Sequence, residues 1–187
     1  KNSEKFMPHF HIPMQSGSDI VLGKMKRRYQ TKLYRTKIEK IVSEVKDVCI
    51  GADVIVGFPG ETKQEFDKTL NFIKDLPLSY LHVFTYSERE NTPAIDMDGV
   101  VSKSDRADRS KQLRILSNKL QRAFYEKYLD TEHTALFEQE NKEGYLFGFT
   151  DNYIKIKIPF QSTICRTKKQ VKLIAIDDDG IMKAELL

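Results

Sequence analysis

Apolar residues in the first half of the chain occur in short runs, and these runs alternate with segments in which apolar residues recur at helical spacing. The run from Phe10 to Met14 predicts a strand, and Ser18 in the polar turn after it can cap a helix that continues through Met25. A second helix is expected from about Thr31, because apolar residues recur there on one helical face. These residues are Leu33, Tyr34, Ile38, Ile41, Val42 and Val45.

Two further strands follow in the same half. The apolar run within Ile50 to Phe58 is typical of a strand buried on both faces of a parallel sheet, and Tyr80 to Tyr86 is rich in β-forming residues. Between them, Thr62 and Glu65 have the spacing of a capping box at the start of a helix. Strands that alternate with helices predict βα units with right-handed crossovers, so we expect residues 1–130 to belong to an α/β sheet or barrel.

The second half of the chain has a different pattern. After a linker at residues 94–103, an apolar stripe predicts a long helix from about Ser104 to Tyr128. From Glu132 onward, five short β-rich runs are separated by turn residues. Five strands in so short a segment predict a small closed barrel of the OB-like or SH3-like kind, which we place at residues 131–187.

Composition indicates a globular chain and limits its chemistry. The 187 residues are 40% hydrophobic and 31% charged, and no run of about 18 apolar residues predicts a membrane span. The two cysteines, Cys49 and Cys165, lie outside any Cys/His cluster, so we expect no metal site in this chain and a reducing, cytoplasmic setting. His9 and His11 have no third ligand nearby in sequence, and we interpret them as one core-facing and one pocket-facing residue.

Polar or glycine-containing turns follow the three predicted strands, at Gln15, Gly57 and Ser87. The carboxyl ends of parallel strands meet at one edge of a sheet, and ligands bind at that edge. We therefore expect the three turns to share one ligand-binding cavity. Ordinary turn chemistry, in which the glycines are needed only for their dihedral angles, is the alternative.

Positive charge is concentrated in two stretches, although the net charge is only +4. Eight Lys and Arg residues stand against Glu39 alone between residues 24 and 40. The second stretch, from Tyr153 to Lys172, contains no acidic residue. On a small β-barrel its basic residues form either a solvated face or an RNA-binding surface, and they are Lys155, Lys157, Arg166, Lys168, Lys169 and Lys172.

Four strings of residues occur in a recognisable order. They are HFHIPMQSGSD at 9–19, MKRRY at 25–29, GADVIVGFPGETKQEF at 51–66 and LHVFTYSERENTPA at 81–94. Together they resemble the radical S-adenosylmethionine methylthiotransferases, and most closely the branch that acts on N6-threonylcarbamoyladenosine in tRNA. The stretch 148–153 resembles the TRAM domain that closes these enzymes.

The resemblance implies an architecture and a reaction. Residues 1–130 would be the carboxyl-terminal half of a radical SAM (βα) barrel with a long connecting helix, and residues 131–187 a TRAM RNA-binding barrel. The full enzyme would use S-adenosylmethionine and two [4Fe–4S] clusters to add a methylthio group to C2 of the modified adenosine, beside the anticodon in the stem-loop of its tRNA partner. The amino-terminal domains with the cluster cysteines would be missing here, so we expect this chain alone to be inactive.

The resemblance also assigns residues. The cofactor would contact Gln15, Ser16, Arg28, Ile55, Gly57 and Gly60. Arg89 and Thr92 would face the target nucleotide, and Asn91 stands where many relatives have glycine; asparagine tolerates the left-handed turn expected there. No catalytic residue is assigned to this chain.

Two alternatives stay open. The chain could come from another branch, which acts on isopentenyladenosine in tRNA or on an aspartate of a ribosomal protein, or it could be a stand-alone RNA-binding module. We also expect an exposed sheet edge at Phe10 to Met14, through which two copies could pair as a dimer.

Overall fold

A computed structural model describes residues 5–187, apart from the side chains of residues 140–142. The chain divides into two compact units. The first, which we call the sheet unit, comprises Phe10–Lys46 and Ile50–Leu120. The second, the barrel unit, comprises the described residues up to His9, together with Asp47–Cys49 and Gln121–Leu187.

The three strands of the first sheet are β1 (His9–His11), β2 (Cys49–Val56) and β3 (Tyr80–Thr85), in the order β1-β2-β3. β2 and β3 are parallel, which confirms the predicted parallel pairing. β1 is shorter than the predicted strand because Gln15 adopts a left-handed backbone conformation, with φ of 67°. Pairing with β2 resumes in a single bridge between Gln15 and Val54.

Four helices accompany the strands in the described part of the chain: α1 (Asp19–Lys24), α2 (Thr31–Glu44), α3 (Lys63–Lys74) and α4 (Lys103–Glu126). Ser18 caps α1 as predicted, because its Oγ accepts a hydrogen bond from the amide of Val21 at 3.2 Å. Thr62 caps α3 in the same way, whereas the Glu65 carboxylate is bonded to Ser18 and Lys68, so only half of the predicted capping box forms. No described helix is long and apolar enough to cross a membrane.

The core of the sheet unit lies on one face of the sheet. Ile50, Ala52, Val54 and Val56 of β2 are fully buried, and the helices contribute buried residues such as Phe66. The opposite face of β2 and β3 carries Asp53, Ile55, His82 and Phe84, which are partly or largely exposed. The prediction that β2 is buried on both faces is therefore wrong for the chain described.

The apolar stripe of α2 is narrower than predicted. Tyr34 and Ile38 are buried, but Leu33 and Val42 are 49% and 40% exposed. With 3.6 residues per turn, Leu33 lies about 120° to one side of the line through Tyr34 and Ile38, and Val42 lies about 60° to the other side. Their assignment to the core was wrong, because an apolar residue at the margin of a stripe is as compatible with solvent as with a neighbour.

The barrel unit confirms the prediction of five strands in a small closed barrel. The strands are β4 (Glu132–Lys142), β5 (Tyr145–Thr150), β6 (Lys155–Pro159), β7 (Lys168–Ile176) and β8 (Met182–Leu186), with a short 3-10 helix at Ser162–Ile164. They close in the order β4-β5-β6-β8-β7. Among the strand pairs described in this barrel, β6 with β8 is parallel and the others are antiparallel. Inward side chains such as Leu146, Ile156 and Leu173 are fully buried.

Candidate ligand cavity and RNA-binding surface

A cavity of about 700 Å³ opens in the sheet unit where β2 and β3 end. This is the sheet edge predicted to bind a ligand, and the volume is in the range of small-molecule sites. The residues that line it come from the end of α1, from the strand ends and from the loop after β3. They are Lys24, Met25, Lys26, Arg27, Ile55, Phe58, Phe84, Thr85, Tyr86, Ser87, Arg89, Thr92, Pro93, Ala94 and Met97.

Three residues assigned to ligands from the sequence line this cavity. Ile55 contributes from the end of β2, and Arg89 and Thr92 contribute from the loop after β3. The Thr92 hydroxyl donates to the carbonyl of Arg89 at 2.8 Å, which closes the turn between them. Asn91 within this turn has φ of 63°, so the left-handed conformation expected at this position is present.

Gln15 and Ser16 are not among the described residues that line the cavity. The amide of Gln15 donates to the carbonyl of Asp53 at 2.8 Å, and its carbonyl accepts from the amide of Ile55, so its backbone belongs to the sheet. Ser16 is buried and its hydroxyl lies 3.2 Å from that of Thr69. Both residues thus have structural partners, and their assignment to the cofactor stays a prediction.

The glycines at the end of β2 have conformational reasons to be glycine. Gly57 and Gly60 both have φ of 77°, a region that other residues rarely adopt. A side chain at Gly57 would also collide with Arg106, and one at Gly60 with Lys24. Neither glycine lines the cavity in the described chain, so the ordinary-turn interpretation accounts for both, and a contact with the cofactor stays a prediction.

Two arginines of α4, which the sequence analysis did not single out, fix the walls of the cavity. The Arg109 guanidinium donates to the Glu61 carboxylate at 2.7 Å, and both side chains are almost fully buried. Glu61 also accepts from the amide of Gly57 at 3.1 Å. Burial raises the pKa of Glu61, and the bonds from Gly57 and Arg109 oppose that rise.

Arg106 stabilises the loop that follows β3 by donating hydrogen bonds to acceptor groups of that loop. Its guanidinium donates to the carbonyls of Val101 and Tyr86, at 2.9 and 3.0 Å, and to the carboxylate of Glu88 at 2.6 Å. The Arg106 hydrogen bond holds the pKa of Glu88 below its ordinary value. The one sequence signal for these two arginines is their spacing: they are three residues apart on one helix, so their side chains lie on the same side of it.

Tyr86 is one of the residues that line the cavity, and its hydroxyl group is unusual. Its ring packs edge-on against Phe58 and lies beneath the Arg106 guanidinium, at centroid distances of 5.4 and 5.2 Å. The hydroxyl is buried and has no hydrogen-bond partner among the described residues. Buried hydroxyls are nearly always paired, so this one is an exception that a bound water or ligand would explain.

The charge around the cavity is positive. Lys24, Lys26, Arg27 and Arg89 line it, and no carboxylate does among the residues described. Arg28, the residue assigned to the cofactor or a tRNA phosphate, lies instead in a separate shallow depression with Tyr29 and Lys32. The cavity therefore suits a ligand with carboxylate or phosphate groups, and the residues of the MKRRY stretch that line it are Met25, Lys26 and Arg27.

The outer surface of the barrel unit carries the strongest candidate for RNA binding. Strand registers place Lys168, Leu136, Phe149 and Lys155 side by side on β7, β4, β5 and β6. Tyr153 stacks on Phe149 with centroids 4.8 Å apart. Exposed aromatic rings beside lysines are the elements with which proteins bind unpaired bases and phosphates. We call these five residues the barrel platform.

The six basic residues predicted to bind RNA differ in their surroundings. Lys168 and Lys169 are exposed on β7, next to each other. Lys172 lies 3.5 Å from Asp130, and Arg166 contacts Gln139. Lys157 is buried, so we leave it out of the RNA-binding surface.

Lys157 is the buried centre of a cluster of charges whose other members are partly exposed. Its ammonium lies 2.6 Å from a carboxylate oxygen of Asp177 and 2.6 Å from one of Asp179. Lys157 and Lys183 hold the pKa of Asp177 well below its usual range, and Lys157 does the same for Asp179. The cluster ties the loop between β7 and β8 to β6.

This cluster predicts an acid-sensitive barrel. Because folding lowers both aspartate pKa values, their contribution to stability is complete above the ordinary aspartate value and is lost as the pH falls from there to the lowered values of the folded protein. We expect the urea midpoint to fall between about pH 5 and pH 2, and to fall less steeply in Lys157→Met. Lys111→Met, at an exposed position of α4, should retain the wild-type profile; equal profiles for the two variants would contradict this role.

Comparison with known proteins gives a consistent set of relatives. The chain is 37% identical to the threonylcarbamoyladenosine tRNA methylthiotransferase MtaB of Rickettsia prowazekii over 185 residues, which is 99% of the chain and 42% of that protein. It is 39% identical over 158 residues to the MtaB protein of Bacillus subtilis, which is 82% of the chain and 35% of that protein.

A second group of relatives is named for a different substrate, dimethylallyladenosine. The tRNA-2-methylthio-N(6)-dimethylallyladenosine synthase of Clostridium tetani is 39% identical over 153 residues, which is 81% of the chain and 34% of that protein. No family model matches the chain. In these alignments the chain spans between 34% and 42% of the length of its relatives.

Proposed function

We propose, since this chain belongs to the tRNA methylthiotransferase family by homology over most of its length, that it forms the carboxyl-terminal part of an enzyme that methylthiolates C2 of N6-threonylcarbamoyladenosine in tRNA. The alignment with an MtaB protein over 99% of the chain carries this proposal. We place the reaction in the cytoplasm and the target beside the anticodon.

The second candidate substrate is dimethylallyladenosine in tRNA. The synthase of Clostridium tetani has the same percentage identity to the chain as the MtaB protein of Bacillus subtilis, although it aligns over slightly fewer residues. We favour the threonylcarbamoyl branch because its modification carries a carboxylate. The cations Lys26, Arg27 and Arg89 around the cavity suit that group, whereas an isoprenoid substituent has no charge for them to bind.

The cavity is the proposed site of the adenosyl cofactor or of the target nucleotide. S-adenosylmethionine, when bound to the complete enzyme, supplies the adenosyl radical of the family reaction. The residues of this chain would bind and orient: Ile55 and Phe84 offer apolar walls, Tyr86 offers its unpaired hydroxyl, and Arg27 offers a partner for a carboxylate.

The iron–sulfur chemistry does not fit this chain. A [4Fe–4S] cluster needs several thiolate ligands, and the sequence contains only Cys49, which is buried, and Cys165. We derive no step through a cluster from these residues. We propose that other parts of the complete protein provide the ligands and that this chain alone does not catalyse the reaction.

The barrel platform is the proposed contact with tRNA. We propose that this barrel is a TRAM domain and that it binds the anticodon stem-loop. Lys155 and Lys168 lie at the two ends of the row and would meet phosphates, while Phe149 and Tyr153, whose rings stack on each other, would add aromatic contacts beside them.

Nucleoside analysis tests the proposed reaction. In cells that lack the complete gene, we expect tRNA to retain N6-threonylcarbamoyladenosine but to lose its 2-methylthio derivative. The complete gene should restore the derivative, and a gene limited to these 187 residues should not. Loss of the methylthio group from dimethylallyladenosine instead would support the second candidate, and an unchanged nucleoside profile would contradict both.

A further inference from the structure

Three potential metal ligands meet on the open face of the three-stranded sheet. His11, Asp53 and His82 lie on the neighbouring strands β1, β2 and β3, and Asp53 and His82 are direct partners in the parallel register. Backbone bonds from Ile12 to Gly51 and from Met14 to Asp53 place His11 beside them. Alternating residues of a strand share a face, so the sheet itself brings the three side chains together.

The distances between the donor atoms suit a single ion. His11 Nε2 lies 2.8 Å from Asp53 Oδ1, and His82 Nδ1 lies 3.5 Å from the same oxygen. One ligand atom from each of the three residues lies within 4.8 Å of the other two. In a tetrahedral site with metal–ligand bonds of about 2.0–2.2 Å, the ligand atoms are about 3.3 Å apart. Small side-chain rotations would therefore complete the coordination.

The chemistry of the set also suits a transition metal. Two imidazoles and one carboxylate bind zinc or iron(II) and leave coordination positions open for water or a ligand. The Tyr80 hydroxyl lies 3.5 Å from Nδ1 of His11, the nitrogen that faces away from Asp53, where an outer partner can orient the ring. His82 has a side chain that is 56% exposed, so an ion can reach the site from solvent.

We propose that His11, Asp53 and His82 bind one divalent transition-metal ion, with zinc as the best-suited ion. The histidine pair in the sequence gave no such site, because the other two ligands come from strands remote in sequence, while His9 stacks on Tyr153. The site lies two residues before Ile55 and Phe84 on their strands, which places it about 7 Å from the wall of the cavity.

Cobalt and zinc titrations of the 187-residue protein test this site without reference to tRNA modification. We expect one Co²⁺ per chain to give ligand-field absorption typical of a low coordination number, and Zn²⁺ to displace it. His82→Ala should weaken binding at least about tenfold. Asp53→Asn should weaken it as well, although the amide still accepts a hydrogen bond from His11.

The matched control is His133→Ala. His133 Nδ1 lies 2.8 Å from Asp151 in the barrel unit, so this variant also breaks a histidine–aspartate contact, but one outside the three-ligand cluster. It should bind cobalt as the wild type does. Thermal unfolding without metal checks that the exposed His82 can be replaced without loss of the fold. Absence of stoichiometric binding in the wild type, or equal binding in His82→Ala, would identify a hydrogen-bonded cluster only and overturn the proposal.

Discussion

Alanine in place of both Lys168 and Lys169 is expected to weaken tRNA binding about 10- to 100-fold near 0.1 M salt. Each lysine that neutralises a phosphate releases condensed counterions, so its loss also flattens the dependence of log K on log salt by about 1. The double variant should therefore show a slope lower by about 2. Filter binding of an anticodon stem-loop across a series of salt concentrations measures both quantities.

Two controls distinguish a direct contact between these lysines and tRNA from an effect of the protein's net charge. Lys111→Ala with Lys119→Ala removes the same charge from exposed positions of α4 and should leave the salt slope nearly unchanged. Arginine at 168 and 169 retains both charges and should retain the affinity. If the α4 variant loses as much affinity as the β7 variant, the barrel platform is not the tRNA contact.

Alanine in place of Glu61 is expected to lower the free energy of unfolding by about 3–5 kcal/mol. The substitution leaves the Arg109 guanidinium buried without its carboxylate and removes the acceptor of the Gly57 amide. Uncompensated buried charge is among the most destabilising single changes in proteins. Urea unfolding monitored by circular dichroism gives the difference.

A surface pair provides the matched comparison for Glu61. Lys63 and Asp67 form an ion pair of 2.6 Å on α3, and the Lys63 side chain is 84% exposed. Asp67→Ala should cost less than about 0.5 kcal/mol. Replacing Glu61 with leucine and Arg109 with methionine together should cost far less than Glu61→Ala, because no charge is left alone in the core. Equal losses for the single and double variants would refute this explanation.

Local signals in the sequence predicted local structure well. The cap at Ser18 needs only the residues of one turn, and it forms as expected. The five barrel strands were also predicted, because short β-rich runs separated by turn residues indicate strands without reference to the rest of the chain. The parallel pairing of β2 with β3 followed from the order of strands and helices.

Burial was harder to predict than element type. The pattern of β2 does not reveal whether a second layer covers its outer face, and the exposed Phe84 on β3 shows the same uncertainty. The exposed positions of Leu33 and Val42 have a similar origin, because the width of a buried stripe depends on the neighbour that covers it. Propensity and period describe a segment, whereas burial belongs to the packing between segments.

The location of the cavity followed from topology, but its residues did not. Carboxyl ends of parallel strands predict the edge, but they do not predict that Arg27 rather than Arg28 lines the cavity after the left-handed turn at Lys26, where φ is 54°. The Glu61–Arg109 pair joins residues 48 apart in the sequence. A single sequence carries no local signal for such a contact.

The position of β8 affects how the barrel can form during synthesis. β8 is bonded to β6 on one side and to β7 on the other, so the barrel has a gap until Met182–Leu186 is available. Until that segment has paired, β6 and β7 each present an unpaired backbone edge. A chain cut before Met182 would therefore retain most of the barrel core but expose two strand edges, and such edges favour pairing between chains and aggregation.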